Sequence, residues 1–235
     1  MSKDKKILIS DYDQTFYLND IDMERNKKAV NKFRSNGNIF VIATGRSYLD
    51  FHNKVNLYKF NYDYVIINHG ATILDKDNNI LANFPIKKEI INDIKNDLQL
   101  EKAINGFCCS KLESRVDFTH DHLTKINVKY PTMEEAMIIN EKINNKYSNY
   151  INSYYVNKNS LEIISNEINK SKAINLLLSK LNMSNNNVYT IGDGYSDIEM
   201  IKDFNGYAMK NSINELKRIA KKEYDSVADL IKEIM

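Results

Sequence analysis

Short apolar runs, each followed by a helical pattern, fill the first part of the chain, and no other feature limits its fold so severely. Lys6-Ile-Leu-Ile-Ser10, Ile39-Phe-Val-Ile-Ala43 and Tyr64-Val-Ile-Ile67 are apolar without alternation. Runs of this kind form strands buried on both faces, which requires helices above and below a parallel sheet. Between the first two, the segment from Met23 to Ser35 places Ala29, Val30 and Phe33 on one helical face and stops at Asn36-Gly37. A small hairpin follows, Ala71 to Leu74 against Ile80 to Asn83, turning at Asp77-Asn78-Asn79.

From about Pro85 the period changes. A helix carrying Ile90, Ile91, Ile94 and Leu98 precedes a strand that alternates at Ile126, Val128 and Tyr130, the pattern of an antiparallel sheet covered on one face. A capping box, Thr132 with Glu135, opens a second helix after Pro131. Strands Ile151 to Val156 and Leu161 to Ile164 meet at Asn157-Lys158-Asn159. The parallel-type pattern then returns, with Ile174, Leu177, Leu178 and Leu181 on a helix face, a strand Val188 to Ile191 and a shorter one, Tyr207 to Met209. The expected fold is a doubly wound, Rossmann-like α/β core of residues 1–84 and 166–235, with an α+β unit of residues 85–165 inserted. With 7 Gly and 2 Pro for the whole chain, Asn is expected to share the turns.

Charge excludes little but is informative. The 33 basic and 31 acidic side chains leave a net charge of +2, which gives no reason to expect nucleic acid or an anionic membrane as partner. Ile7-Leu8-Ile9 is too short for a signal-peptide core or a membrane span. The adjacent Cys108 and Cys109 cannot staple distant segments and lack metal-site spacing, so a reducing, cytoplasmic location is expected.

Open α/β sheets bind ligands beyond the carboxyl ends of their strands. The first strand ends in Asp11-Tyr12-Asp13-Gln14-Thr15, and residues two apart address one side. Alone, this is equally an ordinary polar strand end. The second strand ends in Thr44-Gly45-Arg46-Ser47, a hydroxyl beside a glycine amide able to meet a phosphate oxygen, though such turns also simply cap helices. The strand at Val188 runs into Gly192-Asp193-Gly194-Tyr195-Ser196-Asp197. Lys172 opens an amphipathic helix upstream, where a solvated lysine is the commoner reading. Four carboxylates at two strand ends repel one another unless a cation sits among them, and oxygen-rich sites favour Mg²⁺.

In this order and at these spacings, Asp-x-Asp-x-Thr, Thr-Gly-Arg, Lys and Gly-Asp-Gly-x-x-Asp resemble the four motifs of the haloacid dehalogenase-like (HAD) phosphatases. The insertion between the second and third motifs, and Ala208-Met209-Lys210-Asn211-Ser212, resemble the Cof-type sugar-phosphatase branch with its α+β cap. The resemblance implies that Asp11 attacks phosphorus and forms an aspartyl-phosphate, with Asp13 as general acid/base. It implies Mg²⁺ held by Asp11, the carbonyl of Asp13 and Asp193, supported by Asp197. It also implies Thr44, the Gly45 amide and Lys172 around the phosphoryl oxygens, with Arg46 adding a phosphate or substrate contact. Three positions depart from the pattern. Gln14 replaces a usual Gly and Ser196 a usual Asn. His69 in Asn68-His69-Gly70-Ala71 replaces the Asn of Asn-Gly-Ala, more as in trehalose-phosphate phosphatases, although Gly194 stands where those enzymes carry a second acid. His69 is read as either a substrate contact or a structural histidine.

His120-Asp121-His122 pairs two histidines without an evident fourth ligand and is read as a solvated loop. Arg115 and Lys125 are read as ordinary cap charges or as contacts to a charged substrate group. The cysteines are read as packed thiols, and the tyrosines as core and interface residues. The expected function is thus a Mg²⁺-dependent phosphatase of small phosphorylated metabolites, sugar phosphates first among them. A phosphosugar mutase or phosphotransferase, as in the related phosphomannomutases, and a non-catalytic phosphate-ligand sensor are the alternatives.

Overall fold

The computed structural model describes residues 5–156 and 158–235; Met1–Asp4 and Asn157, one residue of the expected turn Asn157-Lys158-Asn159, lie outside the described residues. The chain runs β1 (Ile7–Ser10), α1 (Asp20–Ser35), β2 (Ile39–Ala43), α2 (Tyr48–Tyr58), β3 (Tyr64–Ile67), β4 (Thr72–Asp75) and β5 (Ile80–Asn83). It continues through α3 (Lys88–Asp97), β6 (Asn105–Ser110), β7 (Glu113–Val116), β8 (Lys125–Lys129), α4 (Met133–Tyr147), β9 (Ile151–Val156) and β10 (Ser160–Ser165). The last part is α5 (Lys170–Lys180), β11 (Val188–Gly192), α6 (Ile198–Asp203), β12 (Asn205–Met209), α7 (Asn214–Ile219), β13 (Glu223–Tyr224) and α8 (Val227–Ile234).

Eight strands form one sheet in the order β13-β12-β11-β1-β2-β3-β4-β5, parallel as far as β3 and antiparallel beyond it. The chain's direction of progress reverses at β1, which lies between β11 and β2. That reversal opens a crevice at the carboxyl ends of β1, β2 and β11. Both faces of this sheet are covered, as its unalternating apolar strands require. On one side α1, α2 and α8 bury Met23, Phe51 and Leu230 against Leu8, Phe40, Ile42 and Val65. On the other, α5, α6 and α7 bury Ile174, Met200 and Leu216 against Ile7, Ile9, Val41 and Ile66.

The second sheet, β7-β6-β8-β10-β9, is antiparallel. Helices α3 and α4 cover one of its faces, packing Ile94 and Ile139 with Ile126, Val128, Leu161 and Ile163. The capping box Thr132/Glu135 starts α4 as read from the sequence. The period of two then sends Phe107, Lys125, Asn127, Tyr154 and Glu162 to the uncovered face, and these five line the crevice of the first sheet. No helix among the described residues is long and apolar enough to cross a membrane.

Candidate active site

The segment after β1 is held by its apolar residues. Tyr12 is fully buried, its ring 5.8 Å from Phe60 and 6.2 Å from Phe16, so alternation leaves Asp11 and Asp13 to the crevice side. Gln14 continues the turn with a left-handed φ of 60°, and its carbonyl accepts the Asn211 side-chain amide at 3.0 Å. Asp11 extends the β1 ladder, its amide donating to the Ile191 carbonyl at 3.0 Å, which sets it beside the loop that follows β11.

Three carboxylates converge there. Asp11, Asp193 and Asp197 each offer an oxygen, all within 4.8 Å of one another. The loop brings Asp197 back onto its own start, where one carboxylate oxygen accepts the amides of Asp193 and Gly194 at 3.1 and 3.0 Å. A Cβ at Gly192 would lie 2.5 Å from Asp197 Cγ, so this return path requires glycine. Thr15 donates its hydroxyl to Asp193 at 2.8 Å.

The cation among these acids is Lys170, not Lys172. Lys170 Nζ donates to Asp11 and to Asp197 at 2.6 Å each, and only 1% of the side chain is exposed. Lys172 is exposed and donates to the Asn166 carbonyl at 2.9 Å, which corrects the sequence-based assignment. The reason is helical geometry. With Asn169 as N-cap, Lys170 is the first residue of α5, and a residue two places on is rotated by about 200° to the opposite face.

Burial pushes Asp11 well above the usual carboxylate range. Lys170 opposes that shift, whereas Asp197 and Asp193 reinforce it. Asp193 is pushed up to about 6, first by burial and then by Asp197. Burial works against the Lys170 ammonium, but Asp11 and Asp197 outweigh it and hold the group above the usual lysine range. Three carboxylate oxygens this close repel one another, and such an oxygen donor set is suited to a hard divalent cation such as Mg²⁺.

Asp13 stands apart from this cluster. Its side chain, 51% exposed, takes a two-pronged ion pair from Arg46 at 2.7 and 2.8 Å. Thr44 is buried, and its hydroxyl accepts the Arg46 amide at 3.1 Å. Gly45 and Arg46 line the same cavity of about 910 Å³ as the acids, and Ser47 caps α2 just beyond. His69 is 4% exposed, with a left-handed φ of 56°, and bonds Glu162 at 2.5 Å. Of the other residues singled out, Arg115 pairs with Asp50 at 3.4 Å, and His120 approaches Glu113 at 3.1 Å in an exposed loop. Cys108 and Cys109 are buried, their thiols pushed up by that burial.

Sequence reasoning missed Lys170, Glu162 and the anchoring role of Asn211. Lys170 had a signal, since Asn169 is a good N-cap and the residue after it begins the helix. Glu162 had none, because its partners lie on β8 and after β3.

The sequence pattern of the haloacid dehalogenase-like hydrolases matches residues 8–117 and 109–230, nearly the whole chain. The chain belongs to this family. A haloacid dehalogenase-like hydrolase from Bacteroides thetaiotaomicron shares its fold with a TM-score of 0.80 at 19% identity, covering 98% of this chain and all (100%) of that one. Another, from Bacillus subtilis, superposes with a TM-score of 0.79 at 17% identity over 98% and 100% of the two chains. A Bacillus subtilis relative named 5-amino-6-(5-phospho-D-ribitylamino)uracil phosphatase is 27% identical over 92% of this chain and 88% of its own. Membership makes the chain a HAD-like hydrolase, similar to relatives that are named phosphatases, and the acids at the ends of β1 and β11 are its candidate centre.

Proposed function

We propose that the chain is a Mg²⁺-dependent phosphatase of small phosphorylated metabolites, with residues 1–84 and 166–235 as the catalytic unit and residues 85–165 as a cap. The observation that carries this reading is the convergence of Asp11, Asp193 and Asp197 around Lys170 at the switch point of the sheet. Asp11, Asp193 and the Asp13 carbonyl would hold the cation, with Asp197 in support, and the bound cation would offset phosphoryl charge. One Asp11 oxygen attacks phosphorus in line as the ester P–O bond breaks, and Asp13, having taken a proton from solvent once its pair with Arg46 opens, gives that proton to the departing oxygen. Asp13 then takes a proton from water, whose oxygen displaces Asp11 and releases phosphate. Thr44 and the Gly45 amide orient the phosphoryl oxygens, with Arg46 as an added contact and His69 one residue removed. Lys170 holds Asp11 in place and is the buried cation available to the phosphoryl oxygens, the part that the sequence resemblance implies for Lys172. Asp13 reaches the leaving oxygen once its pair with Arg46 opens.

Sugar phosphates are the favoured class, since the crevice wall formed by the antiparallel sheet carries Asn105, Asn127 and Ser160, groups that pair with hydroxyls. Phe107 and Tyr154 on the same wall favour, as a second reading, a phosphorylated polyol bearing a planar ring, the kind of compound named for the Bacillus subtilis relative. Phosphate release from sugar phosphates, phosphorylated ribitylamino-pyrimidines and an aryl phosphate, with Mg²⁺ or with chelator, tests both readings. Metal-dependent release that Asp11→Asn abolishes is expected. Isomerisation of a sugar phosphate without release would replace the phosphatase with a mutase, and binding without turnover would replace it with a sensor.

A further inference from the structure

We propose that Lys125, Glu162 and His69 form a buried latch that orients the peptide amides of the Thr44-Gly45-Arg46 turn, and that Lys125 is a positioning residue for phosphoryl binding. The inference deepens the phosphatase reading and rests on it for the identity of the bound group.

Each carbonyl of the turn is taken by a donor. The Thr44 carbonyl accepts the His69 amide at 3.0 Å, and the Arg46 carbonyl accepts the Asn68 amide at 2.9 Å. The Gly45 carbonyl accepts Lys125 Nζ at 2.6 Å, a contact that comes from the other sheet. In a trans peptide the C=O and the following N–H point in opposite directions. Drawing the Thr44 carbonyl toward His69 therefore turns the Gly45 N–H the other way, and drawing the Gly45 carbonyl toward Lys125 turns the Arg46 N–H toward the Thr44 hydroxyl, which accepts it at 3.1 Å and is thereby held at the cavity wall. Gly45 lines the cavity that holds the acids.

The ammonium making this contact is itself fixed. Lys125 is 2% exposed, and Nζ also donates to Glu162 Oε1 at 2.9 Å, where the Asn127 amide arrives at 3.0 Å. The second Glu162 oxygen meets His69 Nε2 at 2.5 Å. Burial lowers the His69 imidazole below its ordinary range, against the opposing pull of Glu162, and this favours the neutral ring. Burial raises the Glu162 carboxyl, but Lys125 and His69 outweigh it and hold it ionised. An ionised carboxylate accepts only, so Nε2 carries the ring proton and Nδ1 is left as a buried acceptor without a partner. The fit extends to Gly45, where a Cβ would lie 2.4 Å from His69 Cε1. A buried ion pair is a poor source of stability compared with apolar residues of the same size. What the pair touches gives it another role, because Lys125 bonds the turn that lines the cavity holding the acids.

The test compares wild type, Lys125→Met, Glu162→Gln and the double variant by three readouts. These are melting temperature, inorganic phosphate affinity by titration calorimetry with Mg²⁺, and kcat and KM on an aryl phosphate. Each single variant leaves a buried charge unpaired and lowers the melting temperature, whereas the double variant removes both charges and recovers it. Phosphate affinity and kcat/KM fall about tenfold or more in Lys125→Met, the loss of one charge-assisted hydrogen bond, and remain low in the double variant. A double variant with wild-type phosphate affinity overturns the latch and makes the cluster purely structural. Wild type that binds phosphate without hydrolysing esters overturns the phosphatase reading alone, and the latch is then judged on affinity. Wild type that does neither overturns both.

Discussion

Replacing Lys170 by Met, a side chain of similar length without charge, is the perturbation with the largest expected effect outside the nucleophile. Lys170 Nζ lies 2.6 Å from both Asp11 and Asp197, and its side chain is 1% exposed. Without the ammonium, three carboxylates within 4.8 Å of one another lose the buried cation that bonds two of them. Breaking one side of a buried charge pair costs about 3–5 kcal/mol. If a bound cation offsets roughly a quarter of that, about 2.3–3.8 kcal/mol remains against the transition state, a fall in kcat/KM of roughly 50- to 600-fold. Lys172→Met removes an exposed ammonium whose partner is the Asn166 carbonyl, so activity stays within about twofold of wild type. The assay is Mg²⁺-saturated phosphate release on the fastest substrate, with circular dichroism to confirm folding. A folded Lys170→Met enzyme of wild-type activity, or an equal loss in Lys172→Met, refutes the assignment.

Three other measurements follow from single residues. Asp193 is pushed up to about 6, so the metal-free fold keeps a proton there that the unfolded chain releases near pH 4; the associated stability is present below about pH 4 and lost as pH rises to about 6. Mg²⁺ needs the ionised form, so it should raise the melting temperature more at about pH 7.5 than at about pH 5, and equal shifts would contradict this. Gln14→Gly relieves a left-handed φ of 60° while keeping the carbonyl bond to Asn211, and should add up to about 1 kcal/mol, or about 2–4 °C in melting temperature. Asp97 is held well below the usual carboxylate range by Lys146, Tyr147 and Lys142, so Asp97→Asn should cost about 1 kcal/mol at neutral pH after solvent screening; wild type loses this advantage as pH falls below about 4, which acid melts of both proteins would show.

The parallel strands were legible because nothing competes with an unalternating apolar run between helical patterns, and β2 and β3 fall where Ile39 to Ala43 and Tyr64 to Ile67 placed them. The start of α4 was equally plain from Thr132 and Glu135. Strands β6 and β7 were not read, because Gly106, Cys108, Cys109 and the charged alternation of Glu113 to Val116 give no continuous apolar face. Turns were read only in part. Asn68, Asn78 and Asn182 take left-handed backbone angles as expected, yet so do Gln14, Lys59, His69, Gln99 and Lys111, where tertiary contacts override local preference. In the site, Asp11, Asp193 and Asp197 lie together because they follow the carboxyl ends of two neighbouring parallel strands. Choosing between Lys170 and Lys172 needed the phase of α5, which hydrophobic spacing alone leaves uncertain by a residue or two. Glu162 depends on pairing between two sheets, and no local pattern records that.

The central claim is that Asp11 carries the phosphoryl group. Rapid acid quench of the enzyme with a turned-over phosphate ester and Mg²⁺, followed by peptide mass mapping, tests it directly. One added phosphoryl group on the peptide containing Asp11, labile to hydroxylamine and absent in Asp11→Asn, is the expected result. Turnover with no phosphorylated peptide at any quench time, or with the label on another residue, would contradict the account.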